Sequence, residues 1–167
     1  MSSVATIKRN IIPPHLEVKG GRPLSGILKV SGAKNSSLAL MAAALLTKEK
    51  LLIKNVPQLT DIEVMSEILR NLGAKLTKTN NSIEINSESI HNVELPYELV
   101  HSLRASFFCV GPLLTRLGEA KIPLPGGCNI GARPVDEHIN GLKALGAEAE
   151  VINDVVKAQT STRAKRA

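Results

Sequence analysis

Tryptophan is absent from this 167-residue chain, tyrosine occurs once and phenylalanine twice. So few aromatics remove the stacking platforms on which single-stranded nucleic acids are held, although a net charge of +6 would otherwise suggest such a partner. The charge is also unevenly spread. Lys8, Arg9, Lys19 and Arg22 near one end, and Lys157, Arg163, Lys165 and Arg166 near the other, face a single acid, Glu17, while the middle is close to neutral. A small phosphate-bearing substrate accounts for these groups at least as well, so no nucleic acid is expected. No apolar run reaches the roughly 18 residues of a membrane span, and the start lacks the apolar core of a secretory signal. A cytoplasmic location is expected, with the acid-free Ser/Lys/Arg start leaving an organellar alternative. Two cysteines, Cys109 and Cys128, make neither a disulfide framework nor a metal-ligand spacing, which suits a reducing compartment and free thiols.

What is present is a chain long enough for one core, read as a domain over 15–158 between an irregular basic extension, 1–14, and a polar basic tail, 159–167. Leu16–Lys19 and Gly26–Ser31 alternate like short strands. Ser37–Leu46 is apolar on every face and predicts a buried helix capped by Asn35 or Ser36. Leu51–Lys54 reads as a strand. Thr60-Asp61-Ile62-Glu63 has the form of a capping box, opening a helix whose stripe Ile62, Met65, Ile68, Leu69 and Leu72 ends at Gly73. Two strands, Ala74–Lys78 and Ser82–Ile85, follow around Asn80-Asn81. A long helix is predicted over about Tyr97–Arg116, irregular at Gly111-Pro112, then a strand over Glu119–Leu124, a helix over Pro134–Leu145 ending at Gly146, and strands Ala147–Ile152 and Val155–Ala158. The segment from Asp61 through Leu72-Gly73-Ala74 to Ile85 parallels that from Asp136 through Leu145-Gly146-Ala147 to Lys157. Such a repeat implies an array whose copies bury faces against one another.

Three features carry chemistry. Leu124–Asp136 places Cys128 in a turn with Gly126, Gly127 and Gly131, and sets Arg133 before Pro134, a residue favoured at the first turn of a helix. A thiol on a movable loop beside an anion site is one reading; a surface turn with an incidental cysteine is the other. Lys34 precedes the apolar helix, where it is either a solvated lysine or an anion ligand; the spacing does not make a phosphate-binding Walker loop. Arg104 shares a predicted helix face with Val100, Phe107 and Phe108, so its guanidinium requires an anion, either a structural partner or a ligand. Cys109 reads as an inert core residue, and Glu67 with Arg70 as a solvated pair.

Gly126–Asp136 resembles the cysteine loop of the enolpyruvyl transferases, in the branch that acts on UDP-N-acetylglucosamine; the shikimate-pathway branch shares the fold but lacks this cysteine. The resemblance extends less specifically over Leu16–Val156. It implies an α/β fold of α+β repeats, an inside-out α/β barrel in which this chain supplies about two βαβαββ units of an incomplete domain, as the N-terminal portion of a longer enzyme. It also implies transfer of the enolpyruvyl group of phosphoenolpyruvate to the 3-hydroxyl of UDP-N-acetylglucosamine, the step that opens peptidoglycan synthesis, with no metal and no cofactor. Cys128 would be the general acid, Lys34, Asn35 and Arg133 would hold phosphoenolpyruvate, and Arg104 with Arg133, Pro134, Val135, Asp136 and Glu137 would hold the UDP-sugar. Asn129 and Glu137 depart from the family pattern. The partners expected are these two small molecules, no membrane, and either a missing second half or self-association. A truncated half that binds UDP-sugar or phosphate without turnover is the alternative.

Overall fold

The computed structural model describes residues 16–124 and 134–160. The first repeat contains α1 (Lys34–Ala43), a 3-10 turn (Ala44–Leu46), β1 (Lys50–Lys54), α2 (Thr60–Asn71), β2 (Lys75–Thr79) and β3 (Ser82–Asn86). The second contains α3 (Tyr97–Ser102), a 3-10 helix (Arg104–Cys109), α4 (Val110–Leu117), β4 (Glu119–Pro123), α5 (Asp136–Ala144), β5 (Glu148–Ile152) and β6 (Val155–Gln159). Each repeat folds into an antiparallel sheet with its last strand in the middle, in the orders β1-β3-β2 and β4-β6-β5. The matching orders are the structural counterpart of the sequence repeat.

Alternation fixes the registers, since a slip by one residue would turn every apolar side chain to the wrong face. In β3, Ile83 and Ile85 are buried between half-exposed Ser82, Glu84 and Asn86, and they lie opposite Ile53 and Leu51 of β1. In β6, Val156 and Ala158 face Ile122 and Ala120 of β4 and are buried. The β5–β6 hairpin turns at Asn153 and Asp154, with φ of 51° and 60°, the left-handed pair of a two-residue turn. A single hydrophobic cluster runs from α1 and α2 through both sheets to α4 and α5.

Helix α2 shows what outweighs what. The expected capping box does not form: Leu59 is the N-cap, without a side-chain cap, and the Glu63 carboxylate pairs instead with Lys78. A lost cap costs about 1 kcal/mol. Ile62, Met65, Ile68, Leu69 and Leu72, all 2% exposed or less, contribute about 1.5–3 kcal/mol each and dominate. Both repeats close this helix in the same way. Gly73 N–H donates to Arg70 O and Ala74 N–H to Leu69 O; Gly146 N–H donates to Lys143 O and Ala147 N–H to Leu142 O. These are paired Schellman closures that need a left-handed residue, met at φ of 100° and 89°. The repeated Leu-Gly-Ala is therefore a helix stop used twice.

Four expectations are corrected. Leu16–Lys19 and Gly26–Ser31 form no strands: Leu16, Val18, Ile27, Leu28 and Val30 are at least 76% exposed, because a strand without a paired neighbour cannot satisfy its backbone. Helix α1 starts at Lys34 and is not buried all round, with Leu40 53% exposed. The long helix breaks at Leu103, with φ −138° and ψ 102°; the Leu103 N–H still donates to Leu99 O and Val100 O, and the chain continues as a 3-10 helix from Arg104. Gly111 and Pro112 sit inside the first turn of α4, where proline's missing N–H costs nothing. Lastly, α5 begins at Asp136 with Val135 as N-cap, which leaves Pro134 ahead of the helix.

Candidate functional site

The chain reaches α1 by passing Gly32 against the backbone of Asn55; a Cβ at Gly32 would lie 1.7 Å from Asn55 O, so only glycine permits this approach. Ala33, in extended conformation, is the N-cap and supplies no side-chain acceptor. Lys34 and Asn35 therefore occupy the first turn of α1 itself, with Asn35 exposed and inside the helix, not capping it. A helix start leaves N–H groups unpaired and carries the positive end of the dipole, so a lysine there is unfavourable unless an anion accompanies it. No acid lies in the first turn of α1. The anion comes from α2: Lys34 Nζ lies 2.6 Å from Asp61 Oδ2, with the two side chains 46% and 35% exposed. Asp61 stands in the first turn of its own helix, where a carboxylate is favoured. In the capping-box pattern Asp61 has no role of its own, the caps being expected of Thr60 and Glu63; its partnership with Lys34, 27 positions away, gives no local signal.

Arg104 opens the 3-10 helix and is half-buried. The expected face of Arg104 with both phenylalanines changes with the helix type, since side chains three apart eclipse in a 3-10 helix. Phe107 follows Arg104 by three and is buried, whereas Phe108 turns outward and is 50% exposed. This short helix packs against α1 and α2, and the Phe107 ring meets His138 of α5 edge-on at 5.2 Å. It is thus the element that links the start of the chain to α5.

At α5, Pro134 is exposed, Val135 is buried, and Asp136 and Glu137 are exposed in the first turn. Two acids satisfy this helix start themselves and oppose an anion seated on its N–H groups. Cys128 and Arg133, with the glycines of their loop and Asn129, lie outside the described residues. Cys109 is fully buried, and burial pushes its thiol up to about 12, so it stays protonated and unreactive at neutral pH. A shallow depression of about 500 Å³ between α5 and its sheet is lined by Lys143, Glu148, Glu150 and Lys157 among others, and holds none of the expected site residues. Among the described residues no group of His, Cys, Asp and Glu is arranged to hold a metal, and no helix is long and apolar enough to cross a membrane.

Sequence reasoning missed Arg116, which donates to Leu45 O at 2.7 Å, Thr47 O at 2.9 Å and Ser87 O at 3.2 Å. Its guanidinium ties the end of the α1 segment to the exit of β3. A basic residue in the last turn of α4 was the signal available, and nothing in it names these partners.

Comparison with known proteins places this architecture. The chain is 96% identical over 166 residues to a UDP-N-acetylglucosamine 1-carboxyvinyltransferase of Prochlorococcus marinus (strain NATL2A), covering 99% of this chain and 36% of that protein. It is 62% identical over 144 residues to the protein of the same name from strain MIT 9301, covering 86% of this chain and 32% of the relative. The chain thus spans about a third of the length of the curated relatives it matches. The enolpyruvyl transferase NikO from Streptomyces tendae superimposes with a TM-score of 0.71 at 23% identity, over 85% of this chain and 31% of that one, a likeness of fold. Both repeats belong to that fold as an incomplete inside-out barrel. The family model described as EPSP synthase (3-phosphoshikimate 1-carboxyvinyltransferase) matches residues 18–167, and the chain belongs to this enolpyruvyl transferase family.

Proposed function

We propose that this chain is one part of a UDP-N-acetylglucosamine 1-carboxyvinyltransferase, which moves the enolpyruvyl group of phosphoenolpyruvate to the 3-hydroxyl of UDP-N-acetylglucosamine and releases phosphate. The observation that carries this reading is the 96% identity, over 99% of the chain, to a relative of that name. In the reaction the sugar hydroxyl gives its proton to a base as its oxygen bonds to the central carbon of phosphoenolpyruvate, while the methylene carbon gains a proton from an acid. Loss of a proton from that carbon and of phosphate from its neighbour then restores the double bond. Cys128 is assigned as the acid that protonates the methylene carbon. Lys34 and Asn35, at the uncapped start of α1, are assigned with Arg133 to the phosphate and carboxylate, whose charge must be stabilised away from water. Arg104, on the element linking α1 to α5, is assigned to the UDP-sugar together with Arg133, Pro134, Val135, Asp136 and Glu137. The two acids hold hydroxyl or amide donors of the sugar more readily than its diphosphate. The expected setting is the cytoplasm, at the entry to peptidoglycan synthesis.

A second reading, binding of the UDP-sugar without turnover, is favoured for the chain by itself because it spans 36% of that relative. Positioning two substrates in a closed cleft can supply about 7–11 kcal/mol of a barrier, which these residues, about a third of the relatives' length, are not expected to supply by themselves. The test is phosphate release from phosphoenolpyruvate in the presence of UDP-N-acetylglucosamine. It compares the 167-residue chain with the same chain joined to the complementary part of the Prochlorococcus marinus relative. Turnover is expected only in the joined protein and is lost on Cys128→Ser. A joined, folded protein that releases no phosphate refutes the transferase reading, and full turnover by the chain alone refutes the need for the remainder.

A further inference from the structure

We propose that Asp61 is a positioning residue for Lys34, holding its ammonium over the start of α1 so that it meets the phosphate of phosphoenolpyruvate without first losing its rotamer freedom. This rests on the reading of Lys34 as a phosphate ligand and adds a residue that the reading did not contain. The geometry has three parts. Lys34 Nζ and Asp61 Oδ2 are 2.6 Å apart, a short charge-assisted hydrogen bond. Asp61 is rigidly mounted: Ile62, the next residue, is 2% exposed, and α2 packs against α1. The first turn of α1 contains no acid of its own, so the lysine's orientation is set from α2. An ammonium has three donors, and one bond to Asp61 leaves two for an incoming anion. Its 46% exposure leaves room for the approach.

Asp61 has two opposed effects on an anion at this place. Its charge repels the phosphate, but at a half-exposed position that repulsion is weakened by water and by salt. Against this, a free lysine side chain must be immobilised on binding, a loss of about tenfold or more in affinity that the ion pair has already met. Positioning requires the second effect to be the larger, so that removing the carboxylate weakens binding.

The experiment is limited acylation of lysines by an N-hydroxysuccinimide ester, read by peptide mass mapping, in the chain joined to the complementary part of its relative. Without ligand, Asp61→Asn should raise labelling of Lys34 severalfold relative to exposed Lys48; an unchanged ratio overturns the ion pair and with it the proposal. With phosphoenolpyruvate titrated in, Lys34 of the unsubstituted protein should be protected. The half-protecting concentration should rise about tenfold in Asp61→Asn and return to within about threefold in Asp61→Glu, which keeps the charge. Thermal melts of the same samples read the purely structural share of the pair, which does not move the half-protecting concentration. Equal or tighter protection in Asp61→Asn refutes positioning while leaving Lys34 a ligand. No protection in the unsubstituted protein refutes Lys34 as a ligand and carries the proposal down with it. Should Asp61→Asn fail to fold, Asp61→Ser takes its place: a half-protecting concentration raised about tenfold supports positioning, and an unchanged or lower one refutes it.

Discussion

The two Schellman glycines provide an experiment with its control built into the chain. Gly73 and Gly146 close equivalent helices at φ of 100° and 89°, so alanine at either position meets the left-handed penalty of about 1–2 kcal/mol. Their surroundings differ. A Cβ at Gly146 meets nothing within 4 Å, whereas one at Gly73 lies 2.6 Å from His91 Nδ1 and 2.8 Å from Ser89 O. The exposed imidazole can swing away. The carbonyl cannot, because the chain beside it is held where His91 N–H and Asn92 N–H donate to Leu72 O at 3.1 and 3.4 Å. Forcing that segment outward adds about 1–3 kcal/mol, typical of overpacking. Gly146→Ala is therefore expected to cost about 1–2 kcal/mol and Gly73→Ala about 2–5 kcal/mol, the difference being tertiary in origin. Urea denaturation followed by circular dichroism measures the totals. Hydrogen exchange of the α2 and α5 amides assigns each loss to its own repeat. Equal losses at the two glycines would refute the argument that Ser89–His91 is pinned against α2.

Iodoacetamide at neutral pH is expected to modify Cys128 and spare Cys109, whose thiol burial pushes up to about 12; peptide mapping that finds Cys109 modified first in folded protein contradicts this. Arg116→Met should destabilise the chain by about 2–4 kcal/mol in urea melts, since three carbonyls lose a charged donor, and Arg116→Lys should recover only part of it because an ammonium lacks the planar fork. Glu119 is held below the usual glutamate value, chiefly by the hydrogen bond from Lys121, and Lys121 is raised by Glu119. The contribution of Glu119 is thus complete above the ordinary glutamate pKa and is lost as pH falls through its lowered value, whereas that of Lys121 is lost as pH rises through its raised value. Glu119→Gln should accordingly flatten the acid limb of a stability–pH profile and, because Lys121 loses the partner that raises it, the basic limb as well, each by a small amount for so exposed a pair.

Local rules settled a large share of this protein. The stripe in α2, the alternation of β3 and β6, the two-residue turns and the double Leu-Gly-Ala stop each follow from interactions within about a dozen residues, which is why the repeat could be read at sight and reappears as two sheets of one topology. The candidate site was only partly legible. Lys34 and Arg104 stood out as cations in the wrong surroundings, but the partner that orients Lys34 sits 27 residues away on another helix. The break at Leu103, which moves Phe108 off the Arg104 face, has no proline or glycine between Tyr97 and Phe108 to signal it. Leu16–Ser31 marks the same boundary from the other side. Its alternating pattern is sound, yet a strand is a property of two segments, and among the described residues it has no ladder to join. Periodicity reports which face of an element is apolar; which element lies against that face, and which charge reaches across, is decided only when distant segments pack, because those contacts are absent until the chain has closed on itself.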